Sequence, residues 1–90
     1  LQVRVATHGL RPGDYRIRLD GPYPQPQTFL ELERFLERER IRDGVSGGLF
    51  PEDHPIVILP TAETTWQHAL EAFNSAARAR YVNVTLGAAP

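Results

Sequence analysis

Cysteine, methionine and lysine are all missing from this chain of 90 residues, and its ten basic side chains are all arginine. The absence of cysteine excludes disulfides, a thiolate nucleophile and cysteine-ligated zinc. Acids and bases nearly balance at a formal net charge of -1, so the composition has neither the basic signature of a nucleic-acid-binding domain nor a patch suited to anionic membranes. No apolar run approaches the roughly 20 residues that span a bilayer.

The length limits what the chain can do. Ninety residues form one domain with a modest core, which leaves little room for a deep, water-excluding cleft. No nucleophile with its base can be named in the sequence. We therefore expect residues 1–90 to be a single binding domain rather than an enzyme, with no catalytic, cofactor-binding or metal-binding residues and no cofactor.

Strand patterns dominate the N-terminal third. Polar and apolar side chains alternate over residues 2–7 and again from Tyr15 to Leu19, which is typical of half-buried strands. Gly21-Pro22 ends the second pattern. Prolines at every second position of residues 22–26 suit an extended edge, because proline lacks the N–H that a paired strand needs, and they predict a short additional strand there.

Two helices are predicted by capping and periodicity. Thr28 and Glu31 have capping-box spacing before an apolar stripe, and Thr64 and Gln67 have the same spacing before a second stripe. The first stripe consists of Phe29, Leu32, Phe35, Leu36 and Ile41, and the second of Trp66, Ala69, Leu70, Phe73, Ala76 and Ala77. We expect the first helix to end at Asp43-Gly44, and Leu49 and Phe50 to hold the following loop to the domain.

The second helix lies between two further strands. The run from Ile56 to Leu59 is apolar at every position, which favours a central strand covered on both faces and stopped by Pro60. After this helix, apolar side chains recur at every second position, at Val82, Val84 and Leu86, which is typical of a half-buried strand. Strands joined by a helix normally lie parallel, so the region forms a β-α-β unit.

Together these patterns predict an α+β fold. Its two helices lie on one face of a mixed sheet of four or five strands, in the order β-β-(β)-α-β-α-β. The predicted core consists of Leu30, Leu32, Phe35, Leu36, Val57, Leu59, Leu70, Phe73, Val82, Val84 and Leu86.

Five features have residue types that occur in functional sites, and a structural explanation is favoured for each. Glu52-Asp53-His54 has metal-binding side chains, but neighbouring residues of an extended loop point apart. His68 has no second histidine at helical spacing and is expected to be a structural, exposed or half-buried residue. Glycines 47 and 48 after Ser46 lack the context of a phosphate loop, and Thr61, Thr64 and Thr65 are explained by helix capping. Trp66, at the head of its stripe, is predicted to be a core residue.

Several strings resemble the ExbD/TolR family. Residues 16–21, Arg-Ile-Arg-Leu-Asp-Gly, followed by a turn with proline and glutamine and by Thr28 opening a helix, resemble that family's passage of strand, Asp-Gly, short strand and helix. The segments 56–59, 66–70 and 81–86 are similar to its closing strand-helix-strand. The chain differs at Pro60-Thr61, where the family usually has Ala-Asp, and at Arg80-Tyr81, where it has a glycine before the last strand.

The resemblance implies a periplasmic domain of a small bacterial inner-membrane protein, anchored by an upstream membrane helix, that takes part in biopolymer transport driven by the proton-motive force. It implies a proton-channel membrane partner, an energy-transducing envelope protein and a homodimer, with no nucleic acid. Two alternatives stay open: a small α+β interaction module of a secretion or outer-membrane assembly machine, and a ligand-sensing regulatory domain in which the glycine-rich loop closes over a small molecule.

Overall fold

The computed structural model describes residues 1–42 and 47–87. In this part of the chain two helices accompany a four-stranded sheet, in the order β-β-α-β-α-β, which confirms the predicted α+β fold. The elements are β1 (Gln2–Thr7), β2 (Tyr15–Leu19), α1 (Phe29–Glu39), β3 (Ile56–Pro60), α2 (Trp66–Arg78) and β4 (Val84–Leu86).

The strand order across the sheet is β2-β1-β3-β4. β1 pairs antiparallel with β2 and parallel with β3, and β3 pairs parallel with β4, as predicted for strands joined by a helix. The additional strand predicted over residues 22–27 is absent: these residues are irregular. The prolines prevent regular pairing, and the side chain of Gln25 bonds the edge of β2 instead.

One face of the sheet holds the core. Val3, Val5, Ile17, Leu19, Ile56 and Ile58 are buried there together with Leu32, Phe35 and Leu36 of α1. Val57 and Leu59 alternate with the buried isoleucines and are only half-buried. The prediction that β3 is covered on both faces is therefore wrong, because both helices lie on the other side of the strand.

The predicted core residues of the helices and of the last strand are confirmed only in part: four are exposed, and Phe73 and Val84 pack against the core without being fully buried. Leu32, Phe35 and Leu36 are buried as predicted, but Leu30, Leu70, Val82 and Leu86 are exposed, and Phe73 and Val84 are half-buried. The buried face of α2 is made of small residues, namely Ala69, Ala72, Ser75 and Ala76, together with His68. Small side chains let the helix approach the sheet closely and leave its larger ones on the flank.

Both helices begin at a threonine. Thr28 and Glu31 form the predicted capping box, with Thr28 Oγ1 accepting the N–H of Glu31 at 3.1 Å. The cap of α2 is Thr65 rather than Thr64, and it accepts the N–H of His68. Thr64 donates its hydroxyl to the carbonyl of Val5. Because the helix starts one residue later than predicted, Trp66 occupies its first position and is 67% exposed, so its predicted place in the core is wrong.

α2 ends in a left-handed turn. Arg80 has a φ of 72°, and the N–H groups of Arg80 and Tyr81 donate to Ala77 and Ala76, which is the Schellman arrangement. The turn buries Tyr81, whose hydroxyl donates to the carbonyl of Leu36 at 2.7 Å. The last strand consequently begins at Val84, two residues later than the alternation predicted.

The loop between α1 and β3 is described only in part. α1 ends at Glu39 and Arg40 is extended, so the prediction that the helix continues to Asp43-Gly44, which lie outside the described residues, is wrong. Ile41, predicted in the apolar stripe, is exposed. Phe50 is buried and holds the loop as predicted, whereas Leu49 is exposed.

Candidate functional site

The acidic residues before β3 do not converge on a metal position. Glu52 and Asp53 are exposed, and Nε2 of His54 lies 3.3 Å from the backbone nitrogen of Leu1. Partial burial lowers the pKa of His54 below its ordinary value. Within residues 1–42 and 47–87, no three His, Asp or Glu side chains are grouped as a metal site requires.

His68 is a fully bonded structural residue. It is 3% exposed, which corrects the prediction of an exposed or half-buried side chain. Its Nε2 lies 3.0 Å from the carbonyl of Pro12, which can only accept, so Nε2 carries the proton. Its Nδ1 then accepts the hydroxyl of Thr7 at 2.7 Å, and that hydroxyl accepts the N–H of Thr65. No nitrogen remains for a ligand or a substrate.

The other polar candidates from the sequence are also accounted for. The hydroxyl of Thr61 bonds that of Thr64, and Thr65 caps α2, so the strand-to-helix junction is occupied by protein hydrogen bonds. Gly47 and Gly48 both have positive φ and are exposed. Ser46 lies outside the described residues.

The outer edge of β4 is the first surface with an unpaired backbone. Ile56 donates to Asn83 and Gly87 donates to Ile58, so the backbone of residues 83, 85 and 87 faces β3. Backbone groups alternate in direction along a strand, and the N–H and C=O of Val84 and Leu86 therefore point away from the sheet. No hydrogen bond from another described residue covers these groups.

An apolar flank of α2 borders this edge. Ser75 and Arg78 bond α1, through the carbonyl of Phe29 and the carboxylate of Glu33, and thereby mark the side of α2 that faces α1. Helical geometry places the residues at positions 66, 70 and 73 on the flank of α2 that points away from α1. The alanines that face the sheet lie between the two flanks.

His68 lies on the α1 side of α2, and its ring is 5.1 Å from that of Tyr15 in β2, so the opposite flank of the helix lies toward β4, at the other edge of the sheet. Trp66 is 67% exposed, Leu70 is 38% exposed and Leu86 is 39% exposed. We call these three side chains and the outward backbone of Val84 and Leu86 the β4 edge surface.

The outer edge of β2 is the second such surface. Asp20 donates to Gln2 and His8 donates to Asp14, so alternation directs the backbone of Tyr15, Ile17 and Leu19 outward. The side chain of Gln25 bonds both outward backbone groups of Leu19: Oε1 accepts the N–H at 2.7 Å, and Nε2 donates to the C=O at 3.1 Å.

A groove runs between β2 and residues 25–27. It has a volume of about 650 Å³, and the residues along it include Tyr15, Arg16, Ile17 and Arg18 on the strand and Pro26 opposite them. We call it the β2 groove. Sequence reasoning missed the role of Gln25; its signal is a long amide side chain between two prolines, which remove backbone donors and leave the side chain to make the bonds.

Comparison with known proteins does not place the chain in a family. No family model, no curated protein and no solved structure matches it. No helix in the described part of the chain is both long enough and apolar enough to span a bilayer. The two strand edges, one apolar and one basic, are therefore the features from which a function can be argued.

Proposed function

We propose that this chain is a protein-binding domain of the ExbD/TolR type, which is the periplasmic domain of a biopolymer transport protein in an inner-membrane complex driven by the proton-motive force. It acts by dimerisation and by binding partner proteins. The observation that carries the proposal is the β4 edge surface, where backbone groups that no described residue bonds lie beside exposed apolar side chains. An open edge with an apolar border is suited to adding a strand from another chain.

Three further features support the family part of the proposal. The elements follow one another in the order that the resemblance implies, except that the described residues form no short strand between Asp20-Gly21 and α1. Asp20-Gly21 stands directly after β2, and Gly21 has a φ of 122°. Arg80, which occupies the place where the family has a glycine, has the left-handed conformation that favours glycine.

A second copy of the chain is the proposed occupant of the β4 edge surface. Two β4 strands related by a two-fold axis pair antiparallel, which joins two four-stranded sheets into one. Leu70 and Trp66 of each copy then become covered by the other copy. Burying these side chains supplies the hydrophobic free energy that a three-residue strand pairing lacks.

The remaining partners follow from the proposed family. A proton-channel membrane protein binds the upstream membrane helix, and an energy-transducing envelope protein binds the domain itself. The gene tests the first part directly: an apolar segment of about 20 residues encoded shortly before Leu1 is expected, and its absence would count against the family.

Sedimentation velocity over a wide concentration range tests dimerisation, both for residues 1–90 and for a longer chain with the upstream residues. We expect a reversible dimer that Leu70→Glu weakens, because the change places a charge in the covered surface. Leu30→Glu is the matched control, since Leu30 is an exposed leucine of α1 on the opposite helix. A monomer in both lengths of chain would refute the dimer, and equal weakening by both variants would refute its location.

A further inference from the structure

The β2 groove has the properties of a peptide site that is separate from the β4 edge surface. We propose that it binds an extended acidic segment of another protein, which adds as a strand to Tyr15 and Ile17 and places carboxylates opposite Arg16 and Arg18. The proposed dimer uses the other edge of the sheet, so a result that refutes one proposal does not refute the other.

The backbone of β2 is already used for this kind of bonding at one position. The amide of Gln25 accepts from and donates to Leu19 as a residue of a neighbouring strand does. Tyr15 and Ile17 present the same pair of outward groups, and no hydrogen bond from another described residue covers them. The groove supplies the space beside these groups for a further strand.

Charge selects the occupant. Arg16 and Arg18 are exposed beside the groove, and neither forms an ion pair with a described residue. Asp20 is held by Arg4 at 3.0 Å, and the hydrogen bond from Arg4 lowers the pKa of the Asp20 carboxyl. The charge of Arg18 also lowers the pKa of Asp20, but among the described residues no carboxylate lies within ion-pair distance of Arg16 or Arg18, which favours an acidic partner.

Strand geometry also predicts a pattern in the bound segment. Side chains opposite Arg16 and Arg18 lie two residues apart on the sheet face away from the helices. The residue between them lies opposite Ile17 and turns toward the buried side, where Pro26 lines the groove. The pattern is therefore acidic, apolar, acidic. Pairing stops at Leu19, where Gln25 already occupies the edge.

The probe is a capped pentapeptide, Val-Glu-Val-Glu-Val, titrated into the ¹⁵N-labelled domain and followed by amide chemical shifts. We expect the amides of Tyr15 and Ile17 to shift, because their N–H groups acquire acceptors. A Val-Lys-Val-Lys-Val peptide of the same length should bind at least about tenfold more weakly, since two attractions become two repulsions. A scrambled Glu-Glu-Val-Val-Val peptide tests whether alternation matters and should also bind more weakly.

Variants of the domain locate the contact. Arg16→Gln and Arg18→Gln should each weaken the probe about threefold, the size expected for one exposed ion pair. Arg42→Gln is the matched control, because it removes the same charge from an exposed arginine that lines a different pocket and should leave affinity unchanged. A circular dichroism melt of each variant checks that the fold is intact.

Several results would overturn the inference: no shifts at millimolar probe, shifts confined to Val84 and Leu86, equal affinity for the Lys peptide, or equal affinity for the scrambled one. An equal loss in all three arginine variants would show binding by net charge alone and would also overturn it. A monomer in the sedimentation experiment would refute the proposed dimer but not peptide binding, since the groove lies at the other edge of the sheet.

Discussion

The hydroxyl of Thr7, at the end of β1, lies 2.7 Å from Nδ1 of His68, in the first turn of α2. The same hydroxyl accepts the N–H of Thr65, and the other nitrogen of His68 bonds the carbonyl of Pro12. One threonine and one histidine thus join β1, the cap of α2 and the turn before β2.

Replacing Thr7 by valine should destabilise the domain by about 1 to 3 kcal/mol, because the change leaves the buried Nδ1 of His68 and the N–H of Thr65 without partners. Urea unfolding followed by circular dichroism measures this difference. Thr85→Val is the control, since Thr85 is an exposed threonine on β4 and the same change there should alter stability by less than about 0.5 kcal/mol. Equal effects at both positions would show that the hydroxyl of Thr7 contributes nothing beyond its shape.

Arg80→Gly should stabilise the domain by about 0.5 to 1 kcal/mol. Arg80 has a φ of 72°, where a side chain is strained and glycine is not. Ala77→Gly, at an exposed position inside α2, should have the opposite sign and cost about 1 kcal/mol. The melting temperatures of the two variants test this directly, and a fall in both would contradict the strain at Arg80.

The turn at Arg80 also shows where sequence reasoning succeeds and where it stops. The element order apart from the additional strand, the parallel arrangement of β3 and β4, and the Thr28 cap follow from local patterns, and these were predicted correctly. The face of α2 that is buried depends on how close the helix lies to the sheet. The periodicity places alanines on one side and Trp66 and Leu70 on the other, and it does not show which side faces the sheet. The left-handed turn then shortened the last strand.

The candidate sites were harder to predict for the same reason. Alternation identified β2 and β4 as strands, but an outward backbone is a property of sheet order, which places these two strands at the edges. The additional strand predicted at the prolines is absent, although the neighbouring strand β2 has an open edge.

Alkaline pH should destabilise the domain through Tyr81. Burial raises the pKa of Tyr81 to about 12, from an ordinary value of about 10 in the unfolded chain. Between these values the unfolded state releases the proton and the native state retains it, so stability is complete below about pH 10 and falls as the pH rises toward 12. The dependence should be smaller in Tyr81→Phe.

Unfolding free energies measured from pH 9 to 11.5 test this sign. Tyr81→Phe should also lower stability at pH 7 by about 1 to 2 kcal/mol, because the bond to the carbonyl of Leu36 is lost. Tyr23→Phe is the control, since the hydroxyl of Tyr23 bonds no residue in the described part of the chain. A steeper alkaline loss in Tyr81→Phe than in the parent would contradict the raised pKa.

Amide hydrogen exchange should distinguish neighbouring outward residues of β2. The N–H of Leu19 is bonded by the side chain of Gln25 at 2.7 Å, whereas the N–H of Ile17 points into the β2 groove. We expect Leu19 to exchange more slowly than Ile17 by at least about tenfold, because exchange at Leu19 requires the Gln25 bond to open first. The N–H of Arg18, which faces β1, should be protected both in the parent and in the Gln25→Ala variant.

Gln25→Ala should abolish the difference between Leu19 and Ile17 while leaving the protection of Arg18 in place. The variant loses two hydrogen bonds to the edge of β2, so a stability loss of about 1 to 2 kcal/mol accompanies the change. Protection that remains at Leu19 would mean that another group covers this edge. Protection at Ile17 in the parent would mean that the groove is closed to an added strand, because the donor needed for pairing would already be bonded.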